Sequence, residues 1–157
     1  RVFEKISPDW KFSGLPQSPN FGFGEIVKFQ LGKMNGRSFE GLMDEIRTPI
    51  LNKDKFNSSR FAANDVTKKI LPISEMEFQC LQDTPEFSDS LRHISGFITF
   101  ASAMTSHSAV FARGLGLACI MARESIIPLC LDYNFAAVRD GRGCLYRSPP
   151  GELLSYL

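Results

Sequence analysis

An apolar run, a cluster of small polar residues and a helical pattern follow one another within residues 96–120. The run Phe97–Ala101 is short, uncharged and rich in aromatic and β-branched side chains, which predicts a buried strand. Apolar side chains recur at helical spacing after it, and Thr105 or Ser106 would be a suitable N-cap for that helix. The stretch therefore predicts a strand, a tight turn and a helix, with His107 in the first helical turn.

The start of that helix is a suitable place for phosphate chemistry. The first N–H groups of a helix have no partner inside it and carry the positive end of its dipole, so together they attract phosphate. A neutral imidazole at His107 would be a nucleophile beside them. Thr105, Ser106 and Ser108 would add hydroxyl donors, and Arg113 would add a guanidinium group. A capping histidine without chemistry fits the same spacing.

The residues around His107 resemble a known signature. Thr105–Ala109 and Ala112–Gly116 read T-S-H-S-A and A-R-G-L-G, a pattern similar to the phosphohistidine motif of phosphoenolpyruvate-utilising enzymes. That family includes pyruvate phosphate dikinase, phosphoenolpyruvate synthase and enzyme I of the sugar phosphotransferase system. The chain has Ser102 and Ala103 where the family motif has two glycines. The resemblance implies that His107 carries a phosphoryl group.

Further patches follow the order of the same family. Residues 14–27 resemble its opening glycine-containing pattern, residues 83–86 resemble its D-T-P loop, and residues 140–146 resemble its closing D-G-x-x-G pattern. In relatives, a threonine of the D-T-P loop hydrogen-bonds the active imidazole, so the resemblance implies this role for Thr84. Thr84 is also adequately explained as the N-cap of a helix that Pro85 begins.

Strands and helices alternate along the chain, with hairpins at both ends, which predicts a mixed α/β domain. The resemblance implies a single compact β/β/α swivelling domain of the phosphohistidine type. We expect residues 1–13 to form an N-terminal arm or linker, residues 14–148 to form the domain, and residues 149–157 to form a C-terminal linker. Residues 31–75 are a variable segment, too short for the helical docking domain that enzyme I carries at this point. This length favours the dikinase and synthase branch, or a variant of its own.

Local patterns between these landmarks predict further elements. Residues 25–30 and 77–81 favour strands, and residues 135–146 favour a hairpin. Residues 38–46 place their apolar side chains on one helical face, which predicts an amphipathic helix. A second short helix is expected within residues 64–70.

The composition limits the kinds of partner. Lysine and arginine total 18 against 17 aspartate and glutamate in 157 residues, so there is no basic field for nucleic acid. No apolar run approaches the ~20 residues of a membrane span, and no signal peptide is visible. The first residue is Arg1 rather than methionine, which suggests a fragment or a processed form. A cytoplasmic location is expected, or a plastid if the source is a plant or an alga.

The cysteines favour reduced thiols over a metal site. None belongs to a C-x-x-C pair, and only His93 and His107 are available as histidine partners. Neither zinc nor another metal is therefore expected in this domain. The expected buried, unpaired thiols are Cys80, Cys119, Cys130 and Cys144.

The leading hypothesis is a phosphocarrier domain that accepts a phosphoryl group on His107 and passes it on. The sequence has no G-x-x-x-x-G-K-[ST] loop for nucleotide phosphates and no recognisable cluster of metal-binding carboxylates, so no cofactor is expected in this domain. Mg²⁺ and ATP or phosphoenolpyruvate are expected at other domains, which bind nucleotide and phosphoenolpyruvate or pyruvate. Those domains would belong to the same chain or to a partner protein.

Two other functions are alternatives to the phosphocarrier hypothesis for the same residues. An interaction or regulatory module would retain the fold without the chemistry, as the replacement of both motif glycines suggests. A hydrolase triad containing Ser106 and His107 is disfavoured, because the sequence has no nucleophile elbow and no assigned acid.

Overall fold

The computed structural model describes residues 9–33, 37–48, 68–100 and 107–157. Within them the chain forms one sheet of eight strands, together with five α-helices. The strands are β1 (Trp10–Ser13), β2 (Leu15–Ser18), β3 (Phe21–Ile26), β4 (Lys69–Ser74), β5 (Ile94–Phe100), β6 (Ala118–Ala122), β7 (Phe135–Arg139) and β8 (Arg142–Tyr146). The α-helices are α1 (Phe39–Arg47), α2 (Glu75–Leu81), α3 (Pro85–Ser90), α4 (His107–Leu115) and α5 (Ile127–Asp132). Short 3-10 helices cover Leu91–His93, Glu124–Ile126 and Gly151–Tyr156.

The sheet has the strand order β1-β8-β7-β3-β4-β5-β6-β2. The pairs β3–β4, β4–β5 and β5–β6 are parallel, and the outer pairs are antiparallel. β1 and β2 stand at opposite ends of this order although only Gly14 separates them in the chain. The sheet therefore curls until its two ends meet at Gly14, whose N–H donates to the carbonyl oxygen of Gly141 at 3.0 Å. A Cβ on Gly14 would collide with the carbonyl oxygen of Met121, so glycine alone fits there.

The two faces of the sheet bury different apolar clusters. Phe97 and Ile98 are consecutive in β5 and enter different clusters, as the alternation of side chains along a strand requires. Helices α1 to α4 cover the cluster that contains Leu42, Phe78, Phe87 and Phe97. Helix α5 packs against the cluster that contains Ile98, Phe100, Ile120 and Leu145. The C-terminal 3-10 helix adds Leu153 to a third cluster with Phe23, Phe135 and Tyr146.

Strands β4, β5 and β6 end at one side of the sheet, which we call the carboxyl edge. Ser74 pairs with Phe100, and Phe100 pairs with Ala122, so the three strand ends lie side by side. Helix α2 begins directly after β4, at Glu75. The chain that leaves β5 returns as α4, which begins at His107 and packs against α2. The starts of these two helices are therefore neighbours.

Residues 77–81 belong to a helix, so the predicted strand there is wrong. Ser74 and Glu77 form a capping box: the Glu77 N–H donates to Ser74 Oγ at 3.1 Å, and the Ser74 N–H donates to Glu77 Oε1 at 3.2 Å. Phe78 and Leu81 are the buried residues of this helix. The S-x-x-E signal supplies partners for the first helical N–H groups, and it outweighs the strand-like apolar content that follows.

Lys69–Ser74 is a strand, so the helix predicted within residues 64–70 is wrong at Lys69 and Ile70. The rest of that prediction, residues 64–67, lies outside the described residues, and Lys68 precedes the strand. β4 lies between two parallel neighbours and is buried on both faces, so its apolar residues do not alternate with polar ones. Without that alternation, periodicity does not separate a short buried strand from a buried helix. Pro72 adds to the difficulty, because proline is rare inside a sheet.

The strand predicted at residues 25–30 begins earlier, at Phe21, and ends at Ile26. Its first four residues include Gly22 and Gly24, which lower strand propensity. A Cβ at either position would lie 2.6 Å from a backbone oxygen, that of Ser95 or of Lys68. These glycines permit close backbone approach, a reason that local propensity does not capture.

Other local predictions are confirmed. Helix α1 begins after Ser38, whose hydroxyl accepts a hydrogen bond from the Gly41 N–H at 3.3 Å. The hairpin predicted at residues 135–146 is formed by β7 and β8. Asp140 and Gly141 join these strands with φ values of 48° and 81°, as a two-residue hairpin turn requires.

The predicted mixed α/β class is confirmed, and the β/β/α swivelling arrangement stays a prediction. Trp10–Ser13, within the predicted arm, pairs with β8, and Leu153, within the predicted linker, is buried. Packed structure thus extends past Gly14 and residue 148, while the division into arm, domain and linker stays a prediction. Among the described helices, none has the length and apolar character needed to cross a membrane.

Candidate functional site

His107 is the first residue of α4, and its side chain is exposed. The helix predicted around it is confirmed, and it ends before Gly116, which has a φ of 71°. Thr105 and Ser106 lie outside the described residues, as do the two positions 102–103 that replace the motif glycines.

The carboxylate of Glu75 caps the start of α4. Glu75 Oε1 accepts a hydrogen bond from the backbone N–H of Ser108 at 2.9 Å, and Glu75 Oε2 accepts one from the Ser108 hydroxyl at 2.9 Å. Ser108 is fully buried, and Glu75 is half-buried. The Ser108 nitrogen is bonded directly to the carbonyl carbon of His107, so the carboxylate lies close to that residue. A negative charge thus occupies the helix terminus where the sequence predicted phosphate.

Two features of the fold bring Glu75 to this position. Ser74 ends β4 and caps α2, which makes Glu75 the first helical residue at the carboxyl edge. One turn further along α2 lies Phe78, and one turn beyond Ser108 on α4 lies Phe111. These two rings meet edge-to-face with their centroids 5.2 Å apart. One face of α2 therefore contacts one face of α4 at two points a turn apart: the Glu75–Ser108 hydrogen bonds and the Phe78–Phe111 ring contact.

Ser108 is the predicted donor that the structure places beside His107. Its hydroxyl donates to Glu75, although Ser108 was predicted to face phosphate directly. Glu75 itself was missed by the sequence analysis. The S-x-x-E pattern at residues 74–77 was the available signal, because it would have placed Glu75 at a helix start rather than before a strand.

Thr84 lies at the start of a different helix. Its hydroxyl donates to the carbonyl oxygen of Leu81 at 2.8 Å and accepts from the N–H of Phe87 at 3.3 Å, as the N-cap of α3. The predicted capping role of Thr84 is confirmed. Because the hydroxyl proton is directed at Leu81, Thr84 would offer an imidazole only an acceptor lone pair. Its hydrogen bond to His107 stays a prediction.

Arg113 lies in the last turn of α4. Its Nη1 donates to the carbonyl oxygen of Gln17 at 2.8 Å, which ties α4 to β2. At 1.5 Å of rise per residue, the backbone of Arg113 lies roughly 9 Å along the helix axis from that of His107. Only an extended side chain would bring its guanidinium towards a phosphoryl group on His107, so its role as a phosphate contact stays a prediction.

A buried ion pair supports the start of α2. Arg37 Nη1 lies 3.4 Å from Glu77 Oε1 and donates to the carbonyl oxygen of Pro72 at 3.0 Å. The Arg37 side chain is only 1% exposed. Burial raises the pKa of the Glu77 carboxyl, and the charge of Arg37 opposes that rise. The segment before α1 is thereby anchored to the helix that supplies Glu75.

The described residues include no group of three or more histidine, cysteine, aspartate or glutamate side chains that is suited to a metal ion. Burial raises the pKa of the thiols of Cys119 and Cys130 to about 12, so both are unreactive thiols at neutral pH. Cys144 is also buried, whereas Cys80 is exposed, against the prediction that all four are buried.

Comparison with known proteins supports the resemblance over part of the chain. No curated protein gives a significant match. A protein-family model, the mobile domain of PEP-utilising enzymes, matches residues 80–136. This interval runs from the end of α2 through α4 to the start of β7, and it contains Thr84, His107, Ser108 and Arg113. Residues 80–136 thus match the mobile, phosphohistidine domain of PEP-utilising enzymes.

Proposed function

We propose that this chain is a phosphocarrier domain in which His107 accepts a phosphoryl group and passes it to an acceptor elsewhere. The family match supports a phosphohistidine-carrying domain of PEP-utilising enzymes. The observation that carries the proposal for this residue is the exposed position of His107 as the first residue of α4. At that position the helix dipole favours an incoming anion, while the ring stays open to a donor.

In the proposed step, a neutral ring nitrogen of His107 attacks phosphorus in line with the departing oxygen of the donor. The donor P–O bond breaks, an N–P bond forms, and the leaving oxygen keeps the electron pair of the broken bond. Transfer onward repeats the displacement at the acceptor, with the N–P bond breaking. His107 would therefore serve as a relay between two sites.

We further propose the dikinase or synthase type, in which Mg²⁺ with ATP or phosphoenolpyruvate is held by other domains. The short segment at residues 31–75 supports this type over enzyme I. The buried, unpaired Cys119, Cys130 and Cys144 fit a reducing compartment such as the cytoplasm. The chain would supply the carrier group, and the partner domains would supply nucleotide and pyruvate chemistry.

Chemical phosphorylation tests the proposal without a partner. Phosphoramidate, a small donor that phosphorylates histidine, is incubated with the chain, and the product is mapped by mass spectrometry under alkaline conditions. We expect one phosphoryl group on His107 that is labile in acid and stable in alkali. Labelling that falls on other residues, or that is no faster than labelling of free histidine, would argue against an activated carrier.

A second candidate is an interaction or regulatory module without phosphoryl transfer. The observation that favours it is the carboxylate of Glu75, which already occupies donors at the start of α4. This candidate expects His107 to react no faster than a free imidazole in the same experiment. The two functions therefore give opposite results.

A further inference from the structure

The contacts of Glu75 suggest a role at the start of α4 beyond simple capping. Among the described residues, the hydrogen bonds of this carboxylate all go to Ser108, to its N–H and its hydroxyl. Both donors belong to the residue that follows His107. A phosphoryl group on His107 would be an anion that seeks the same helix terminus.

Glu75 and a phosphoryl group on His107 would compete for the same hydrogen bonds from Ser108. Each is negatively charged, and like charges at close range repel. The Ser108 N–H and O–H supply one proton each, and both are directed at Glu75 in this structure. A phosphoryl oxygen that takes either proton must therefore displace the carboxylate.

The surrounding structure allows the carboxylate to leave. The start of α2 is held independently by the Ser74–Glu77 capping box and by the Arg37–Glu77 ion pair. The Phe78–Phe111 contact holds α2 against α4 one turn away. Rotation of the half-buried Glu75 side chain would therefore break its bonds to Ser108 without unfolding either helix.

We propose that Glu75 is a regulatory placeholder: its carboxylate occupies the phosphoryl-binding donors of Ser108 in the unphosphorylated state and is displaced on phosphorylation of His107. This inference rests on the proposed phosphocarrier function. The placeholder satisfies the buried Ser108 hydroxyl when no phosphate is present. It also opposes phosphorylation, so it sets how readily His107 is loaded.

A neutral ring nitrogen of His107 attacks the phosphorus of phosphoramidate, the donor P–N bond breaks, and ammonia leaves. The new N–P bond forms on the ring, and the proton on the other ring nitrogen passes to ammonia or water. Glu75 gains and loses no bond in this step, so its effect is electrostatic.

The first experiment measures the rate of His107 phosphorylation by phosphoramidate with ³¹P NMR. Glu75→Gln removes the charge with little change in shape, and we expect phosphorylation to be about tenfold faster, as relief of one close like charge implies. Glu86→Gln is the matched control, since Glu86 is an acidic residue in the first turn of α3. The control should react at the wild-type rate. An unchanged or slower rate in a folded Glu75→Gln variant would overturn the proposal.

The second experiment does not depend on the reactivity of His107. Inorganic phosphate is titrated while the backbone amide signal of Ser108 is followed by ¹H–¹⁵N NMR. We expect phosphate to shift this signal at lower concentration in Glu75→Ala than in the wild type, because the donors have been vacated. Equal responses would overturn the placeholder role even if His107 is phosphorylated. A stronger response in the variant without phosphorylation of His107 would support competition at Ser108 and count against the phosphocarrier function.

Discussion

The surroundings of the two histidines differ in access and in charge. His107 is exposed at the start of α4, with the Glu75 carboxylate bound to the next residue. His93 is only 5% exposed, in the 3-10 helix that precedes β5, and its Nδ1 has no hydrogen-bond partner in the described structure. Burial lowers the pKa of His93, and the positive charges of Arg92, Lys68 and Arg47 lower it further.

The two histidines show that an uncharged imidazole is not enough for phosphoryl transfer, because the ring must also be accessible to a phosphoryl donor. The surroundings of His93 favour the uncharged ring, yet burial closes that ring to a phosphoryl donor. His107 is open to solvent and lies at a helix terminus, where N–H groups favour an anion. Access and helix position therefore favour His107 over His93 as the residue for the proposed phosphoryl transfer, whereas nearby positive charge alone would favour His93.

The largest expected effect is the loss of labelling in His107→Ala. This variant should fall to background in the phosphoramidate reaction, because no other accessible imidazole lies in the described residues. His93→Ala should retain the phosphoryl group at His107, as measured by mass spectrometry. Thermal unfolding of both variants checks that they are folded. Acid-labile labelling that persists in His107→Ala would show that His107 is not the phosphoryl acceptor and so does not differ from His93 in this role.

A smaller effect is expected for the bond between Glu75 and Ser108. The hydrogen bonds join a charged acceptor to a buried residue, so we expect a coupling of about 1–2 kcal/mol in the free energy of unfolding. The measurement is a double-mutant cycle of Glu75→Gln and Ser108→Ala by urea denaturation. Thr84→Ala removes the N-cap of α3 and should cost about 1 kcal/mol without coupling to Glu75. A coupling near zero would show that the bond between the Ser108 hydroxyl and the Glu75 carboxylate adds nothing to stability.

The smallest effect concerns pH and His93. Its folded-state pKa lies below the ordinary value of ~6.5, so its contribution to stability is present above that pH. As pH falls towards the folded-state pKa, the unfolded chain binds more protons than the folded one and stability is lost. We expect the free energy of unfolding to fall less with decreasing pH in His93→Gln than in the wild type. The difference should be a fraction of the ~1.4 kcal/mol that a shift of one pKa unit represents. Urea denaturation at several pH values measures the free energy of unfolding. The same pH dependence in His93→Gln and the wild type would contradict a lowered pKa for His93.

The parts of the fold that depend on neighbouring residues were predictable. The start of α4 at His107 and the N-cap of α3 at Thr84 follow from short-range rules for helix ends and loops. The turn at Asp140 and Gly141 follows from residues that tolerate positive φ. At Thr84 and at the Asp140–Gly141 turn, the deciding contact joins residues close together in the chain.

The parts that depend on distant contacts were not predictable. The curl of the sheet at Gly14 needs the backbones of β6 and the β7–β8 turn to approach one residue. The cap on α4 comes from Glu75, more than a complete helix and strand earlier in the chain. No local pattern around His107 indicates that a carboxylate will occupy its helix terminus, because that contact exists only after β4 and β5 have paired.

The most direct test of the phosphocarrier function is recovery of the phosphorylated chain from the cells that express it. Alkaline extraction preserves an N–P bond, and mass spectrometry then locates the phosphoryl group before and after brief exposure to acid. We predict one acid-labile phosphoryl group on His107 and none on His93. A chain that carries no phosphoryl group on His107 under any growth condition, although extraction preserves phosphohistidine in other proteins, would contradict the phosphocarrier function.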